Sequence, residues 1–358
     1  MSAVSAERPR LRAVVDDLPA YVPGASAPVG AAAFKLSSNE NPYPPLPSVL
    51  AAIQDAAADV NRYPDMFATE LTAAIAESLD VEPGQVVAGA GSVAVLAHIL
   101  EIVAEPGGEV VFPWRSFEAY PIAVALSGAH AVRVPVSDDG RLDLPAMAAA
   151  VTERTRAVLV CTPNNPTGPA VRQDELEEFL AAVPREVLVL VDEAYVEFVR
   201  DPAAVDGLAT LRAHPNVVLL RTFSKAYGLA GLRLGFAVAR PRVATAIRKA
   251  STPFGVSHVA QLAGVASLRA EDELLARVDA IVAERAQMLH GLRAAGLPVL
   301  DTEANFVWLP LGDAAARFAA DAAAAGVVVR PFAGDGVRIS VGESDATDTL
   351  LTFATHWS

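Results

Sequence analysis

Seven short apolar runs mark the first two thirds of the chain: QVVAG (85–89), EVVFP (109–113), AVRVPV (131–136), RAVLVC (156–161), EVLVLVD (186–192), NVVLLR (216–221) and LGFAVA (234–239). Within them apolar residues mostly follow one another instead of alternating with polar ones, and helical segments lie between. Such runs suit strands buried on both faces, so the pattern predicts a mostly parallel sheet covered by helices on either side. Ligands in such sheets bind at the carboxyl ends of the strands. From about Asp272 to Ala295 apolar residues recur at helical spacing, as in LLARVDAIVAERAQMLHGL, and the runs NFVWLPL, VVVRPF and VRISVG follow. These three strands with intervening helix predict a smaller α+β unit. The expected organisation is an N-terminal arm over 1–34 that packs with the small domain, a large domain over 35–255 and a small domain over 256–358.

Composition narrows the classes. A chain of 358 residues, 53% hydrophobic and 20% charged, is long and apolar enough for two substantial cores. A formal charge of −14 argues against a broad nucleic-acid or anionic-membrane surface, which needs excess positive potential. A small anion needs only a few local arginines. The single cysteine, Cys161, excludes an internal disulfide, and the six histidines show no metal-site spacing, so no metal is expected. No run reaches the ~18 to 20 apolar residues of a membrane span. The opening MSAVSAERPRLRAVVDDLPAYVPG is interrupted by charge and proline, unlike a signal peptide, and the cytoplasm is the expected compartment.

Three strand ends carry polar chemistry. After AVLV comes Cys161-Thr162-Pro163-Asn164-Asn165-Pro166-Thr167-Gly168; after VLVLV comes Asp192-Glu193-Ala194-Tyr195; after VVLLR comes Thr222-Phe223-Ser224-Lys225, with Arg233 further on. Each has an ordinary explanation taken alone: a turn, a helix cap, a solvated lysine. Together they bring a phenol, an amide, a carboxylate and an amine to one edge of the sheet, and that set suits a pyridine aldehyde cofactor. A desolvated lysine condenses with an aldehyde, and a carboxylate facing the ring nitrogen keeps it protonated, so that the ring draws electrons. Thr222, Ser224 and Arg233 can hold a phosphate through charge-assisted bonds. Earlier, VVAGAGSVAVLAHIL reads as strand, glycine turn and helix, whose free N–H groups around Ser92 and Val93 can cradle an anion. The same stretch fits G-x-G-x-x-A and sustains a rival, an NAD(P)-dependent oxidoreductase. That rival expects an acidic residue after the next strand, where Pro113-Trp114-Arg115 stands instead.

The motifs LPAYVPG, LSSNENPYPPLPS, NRYPD, GAGSVAVL, FPWRSFEAYP, TPNNPTG, VDEAYVEF, RTFSKAYGLAGLRLGF, ANFVWLPLG and VRISVG, in that order, span nearly the whole chain. In them the chain resembles the fold-type I, class I/II aminotransferases that use pyridoxal 5′-phosphate, on the branch joining histidinol-phosphate aminotransferases to actinobacterial aromatic amino acid aminotransferases. FPWRSFEAYP and ANFVWLPLG tilt the resemblance to the aromatic group, with histidinol-phosphate aminotransfer as the alternative. The resemblance implies an α/β fold with a large cofactor-binding domain and a smaller α+β domain, and ping-pong transfer from phenylalanine, tyrosine or tryptophan to 2-oxoglutarate. It makes Lys225 the Schiff-base residue and proton shuttle, Asp192 the partner of the pyridine nitrogen, and Asn165 and Tyr195 the ligands of the ring oxygen. Phe117 falls where an aromatic side chain stacks on the ring. Ser92, Val93, Thr222, Ser224 and Arg233 fall at phosphate positions, and Tyr63 falls where relatives reach the phosphate of a neighbouring subunit, implying a homodimer. Arg338 takes the position that grips the substrate α-carboxylate, with Tyr21, Asn39 and Arg330 on the substrate side. Many relatives carry an acidic residue just after the serine of the glycine turn; Val93 and Ala94 stand there in this chain, leaving that corner to backbone N–H groups. A transcription regulator on this fold would carry a helix-turn-helix module before it; only about 35 residues precede LSSNEN, and no nucleic-acid partner is expected.

Overall fold

The structure, a computed structural model, describes residues 11–18, 24–25 and 33–357. Its strands in chain order begin with β1 (Phe34–Lys35), β2 (Val86–Gly89), β3 (Glu109–Trp114), β4 (His130–Pro135), β5 (Thr155–Cys161) and β6 (Leu188–Asp192). They continue with β7 (Val217–Thr222), β8 (Gly235–Ala239), β9 (Phe306–Leu309), β10 (Val327–Val328), β11 (Arg330–Phe332) and β12 (Gly336–Ser340). Among the described residues, seven strands form one sheet in the order β2-β8-β7-β6-β5-β3-β4. β8 pairs antiparallel with both neighbours, and the other pairings in that sheet are parallel.

The continuous apolar runs follow from burial on two sides. Val158, Val160, Val189, Val191 and Leu219 pack on one face with Leu71, Ile75, Leu176 and Phe179. Leu159, Leu190, Val218 and Leu220 point to the other, against Leu96, Ile99, Leu100 and Val124. Full burial of each such side chain stabilises the fold by roughly 1.5–3 kcal/mol, which a polar residue at either parity would forfeit. The expected α/β class is the observed one.

The C-terminal part has its own core. Phe306, Val307, Leu309, Val337 and Ile339 from the β11-β12-β9 sheet pack with Val278, Ile281 and Met288 of the long helix Glu271–Ala294. Tyr195, Phe198 and Ala226, beyond the ends of β6 and β7, join that cluster, so the small unit is seated beside those strand ends.

Two features depart from the sequence pattern. VVVRPF is not one strand: β10 pairs in parallel with β1, while β11 pairs antiparallel with β12. Pro331, which has no N–H to give a ladder, lies on the edge strand β11. The helix His258–Arg269, counted by its position in sequence with the small domain, packs on the helices Pro47–Ala56 and Thr69–Ser78 of the large one. Its Ala260, Ala263 and Val265 share the core of Leu71 and Ile75. Gly264 permits this approach, since a Cβ there would lie 2.7 Å from side-chain carbons of Leu71 and Leu234.

Of the arm, Arg12 donates to the Leu126 carbonyl at 2.6 Å on the helix Ala119–Ser127 of the large domain, and Phe34 pairs with Val327 of the small one. Beyond β1, Leu36 donates to the Val328 carbonyl and accepts from Ser340, which carries the chain through Ser37, Ser38 and Asn39 to the strand ends.

Candidate active site

The strand ends open onto a cavity of about 690 Å³. In register, Asp192 stands opposite Cys161 of β5 and Leu220 of β7, and Thr222 opposite Gly235 of β8. Three distant turns therefore face one space. Ser92, Val93, Phe117, Asn165, Asp192, Tyr195, Thr222, Ser224, Lys225, Arg233, Arg330 and Arg338 all line it.

Asp192 ends β6 and is buried. It caps no helix: the short helical turn that follows, Val196–Phe198, has Tyr195 at its cap position. Its Oδ2 accepts from the Tyr120 hydroxyl at 2.7 Å, while its Oδ1 is buried with no hydrogen-bond partner. Burial pushes this carboxyl up to about 6, and the Tyr120 hydroxyl opposes the rise. A buried carboxylate oxygen without a donor is costly, so it marks a place for one.

Lys225 follows β7, its Nζ 3.4 Å from the Ser38 carbonyl and 5.8 Å from the centre of the Tyr195 ring. Burial first, then Arg338 and Arg233, bring its amine down to about 7, with Glu40 and Asp192 pulling the other way. An appreciable neutral fraction near neutrality is what a nucleophile or proton carrier requires. Tyr195 accepts from Asn39 Nδ2 at 3.1 Å, and burial raises its phenol above the usual value. Asn39, in turn, donates its backbone N–H to Ser340 Oγ at 2.7 Å. Arg338 donates through Nη1 to Asn165 Oδ1 at 2.7 Å and through Nη2 to the Ser37 carbonyl at 2.8 Å.

The opposite corner is built for an anion. The helix Ser92–Val103 begins after Gly91, whose φ of 85° lies where glycine is favoured. Gly235 runs so close beneath it that a Cβ would lie 2.3 Å from the Ser92 nitrogen. Arg233 Nη1 donates to Ser224 Oγ at 3.4 Å, and Thr222 Oγ1 accepts from the Ser224 N–H at 3.1 Å. Backbone donors, hydroxyls and a guanidinium meet there, as a phosphate group would need. The NAD(P) reading of this turn does not hold: β2 lies at the sheet edge beside an antiparallel β8, not in the parallel βαβ unit of a dinucleotide fold.

Asn39 reaches the site through its bond to Tyr195. Tyr63 does not join the cavity; it is 83% exposed and its ring lies 4.7 Å from that of Phe254. Tyr21 lies outside the described residues. Four contributors escaped the sequence reading. Tyr120 was legible in principle, since its spacing of three from Phe117 at a helix start puts both on one side, with ring centres 5.6 Å apart. Glu118, bonded to Arg330 across 212 positions, and the Ser37 and Ser38 carbonyls left no local signal. Among the described residues no group of three or more His, Cys, Asp or Glu could hold a metal ion.

The chain belongs to the class I and II aminotransferases: the model of that family, "Aminotransferase class I and II", matches residues 32–352. An aromatic amino acid aminotransferase of Streptomyces avermitilis is 54% identical over 349 residues, covering 97% of each chain. One from Thermobifida fusca is 56% identical over 348 residues, covering 97% of this chain and 96% of its own. Among solved structures, the histidinol-phosphate aminotransferase of Sinorhizobium meliloti in complex with pyridoxal-5'-phosphate superposes with a TM-score of 0.87 at 30% identity, covering 98% of both chains.

Proposed function

We propose that this protein is an aromatic amino acid aminotransferase, which uses pyridoxal 5′-phosphate to pass the amino group of phenylalanine, tyrosine or tryptophan to 2-oxoglutarate. The substrate class is supported by the relatives of that name, 54% and 56% identical over almost the entire chain. The cofactor fits an observation made on this chain alone: Asp192 Oδ1 is buried without a donor across the cavity from Lys225, and a protonated ring nitrogen would be that donor. Gly235 likewise leaves room at the Ser92 nitrogen and Gly91 leaves room for the Arg233 guanidinium, both at the corner where a phosphate would sit.

The cofactor, when bound, supplies an aldehyde for the amine and a pyridinium ring that draws electrons from the substrate. Asp192 would hold the charge of the ring nitrogen, Asn165 and Tyr195 the ring oxygen, and Phe117 the face of the ring. The backbone at Ser92 and Val93, with Thr222, Ser224 and Arg233, would hold the phosphate. Lys225 would bond covalently to the cofactor at rest and, once released, take the proton from the substrate α-carbon at Nζ. Its pKa near 7 suits both tasks. Arg338 would grip the α-carboxylate as a planar fork, with Asn39, Arg330 and Tyr21 on the substrate side. Two substrates would use one site in turn, so the kinetics are ping-pong.

A homodimer in the cytoplasm completes the reading, with Tyr63 reaching the phosphate of the neighbouring site. The exposure of Tyr63 beside Val60, Met66 and Phe67, which are also exposed, supports a partner surface there. The single, buried cysteine suits a reducing compartment. The deciding experiment compares kcat/KM for phenylalanine, tyrosine and histidinol phosphate with 2-oxoglutarate at one pH. The aromatic donors are expected to lead, and borohydride to fix the cofactor on Lys225. A lead for histidinol phosphate would reassign the donor; a label on Lys35 or Lys249 would overturn the assignment of the lysine.

A further inference from the structure

We infer that Glu118 is a specificity-determining residue: by occupying Arg330 it disfavours substrates that bring a second negative charge and favours those with a neutral side chain. The inference rests on the aminotransferase reading above. β11 and β12 set Arg330 directly opposite Arg338, so both guanidinium groups leave the same face of the small sheet and line the cavity with Lys225. Both are buried, at 7% and 8% exposure. Like charges side by side in a buried wall repel unless matched. Glu118 supplies the match from the other domain, its Oε2 2.7 Å from Arg330 Nη2.

The surroundings give this pair a role beyond neutralisation. Phe117, Ile122 and Phe332 line the same cavity, with the Phe332 ring centre 5.4 Å from Arg330 Cζ. A neutral aromatic side chain can lie against such a wall and leave the pair intact. A phosphate or a distal carboxylate instead meets the Glu118 carboxylate, and must displace it before reaching Arg330. Juxtaposing like charges in a partly desolvated site is expensive. The Glu118 side chain is 30% exposed, so water can receive it when it is displaced. Glu118 is therefore a penalty on dianions and not an absolute bar, which leaves a dicarboxylic 2-oxo acid usable as acceptor.

The test uses the holoenzyme and its Glu118→Gln and Glu118→Ala variants, so that failure of one to fold leaves the other. The first half-reaction is followed in single turnovers without acceptor, with phenylalanine and with histidinol phosphate. The ratio of kcat/KM for histidinol phosphate to that for phenylalanine should rise about tenfold or more on losing the charge. Competitive inhibition by inorganic phosphate should tighten in parallel, and the KM for 2-oxoglutarate should fall. If both donors change by the same factor, or phosphate inhibition does not move, Glu118 only ties the two domains together and the inference is wrong. A wild-type preference for histidinol phosphate would count against the proposed donor and leave the shift in ratio between wild type and variant to decide the role of Glu118.

Discussion

At the scale of single residues, the site depends on charges held away from water, and their titration makes this measurable. The Tyr120 hydroxyl is the foremost of the groups that hold the Asp192 carboxyl down against burial, ahead of Lys225. Tyr120→Phe should therefore raise the pKa of that carboxylate, and the acidic limb of the kcat/KM profile should move to higher pH. An unshifted limb with a merely lower plateau would reduce Tyr120 to packing. The loss of a bond to a buried carboxylate should also cost about 1–3 kcal/mol in urea unfolding. Lys225 gives a test of the opposite sign. Its folded pKa of about 7 lies below the ordinary 10.5, so between those values the unfolded chain binds more protons and stability rises with pH. In the cofactor-free protein, Lys225→Met removes this burden. The variant should have a higher Tm than wild type at pH 7, and the gap should narrow by pH 9.5. A gap independent of pH would mean the amine is not held neutral by its surroundings.

At the scale of elements, the anion corner is a contact between a strand and a helix start, made possible by an absent side chain. A Cβ on Gly235 would press into the Ser92 nitrogen at 2.3 Å, and backbone cannot swing aside as a side chain could. Gly235→Ala should cost roughly 1–3 kcal/mol as overpacking and weaken cofactor retention, read by urea unfolding and by dialysis against buffer. Retention equal to wild type would show that the helix start moves freely. Packing also bears on the division of the chain. The N-cap Ser257, whose Oγ accepts from the Ala260 N–H, starts a helix that runs to an exposed Arg269 and buries Ala260, Ala263 and Val265 in the large core. We propose that the large unit extends to about Arg269, and that the small one begins with the helix Glu271–Ala294.

At the scale of the whole molecule, the proposed dimer makes each site depend on two chains. Lys225 lines the cavity of its own chain, whereas Tyr63 faces outward. Mixing inactive Tyr63→Ala with inactive Lys225→Ala subunits should restore about a quarter of wild-type activity, because half of the two-fold dimers are hybrids with one intact site. Demonstrated subunit exchange with no recovery would end the idea of a shared phosphate site. The two mutations also differ in how visible their residues are to sequence reading. Lys225, Asp192 and Asn165 stand out because each ends or closely follows an apolar strand, where the backbone itself aims a side chain at the sheet edge, and Arg233 because it stands just before the next such strand. The α/β class was legible for the same reason: two buried faces demand runs without polar alternation. Covalent proximity carries such signals. It carries none for the union of Glu118 with Arg330, for the Ser37 and Ser38 carbonyls beside Arg338 and Lys225, or for the allegiance of the helix His258–Arg269 to the earlier core. The interruption of VVVRPF falls at Val329, which carries no local signal, and its division between two sheets depends on Phe34 and Arg338 arriving from elsewhere. Which chemistry the chain can perform was thus written in local patterns. Which charges meet, and so how they titrate and what they admit, was decided only when folding brought distant segments within reach and excluded water between them.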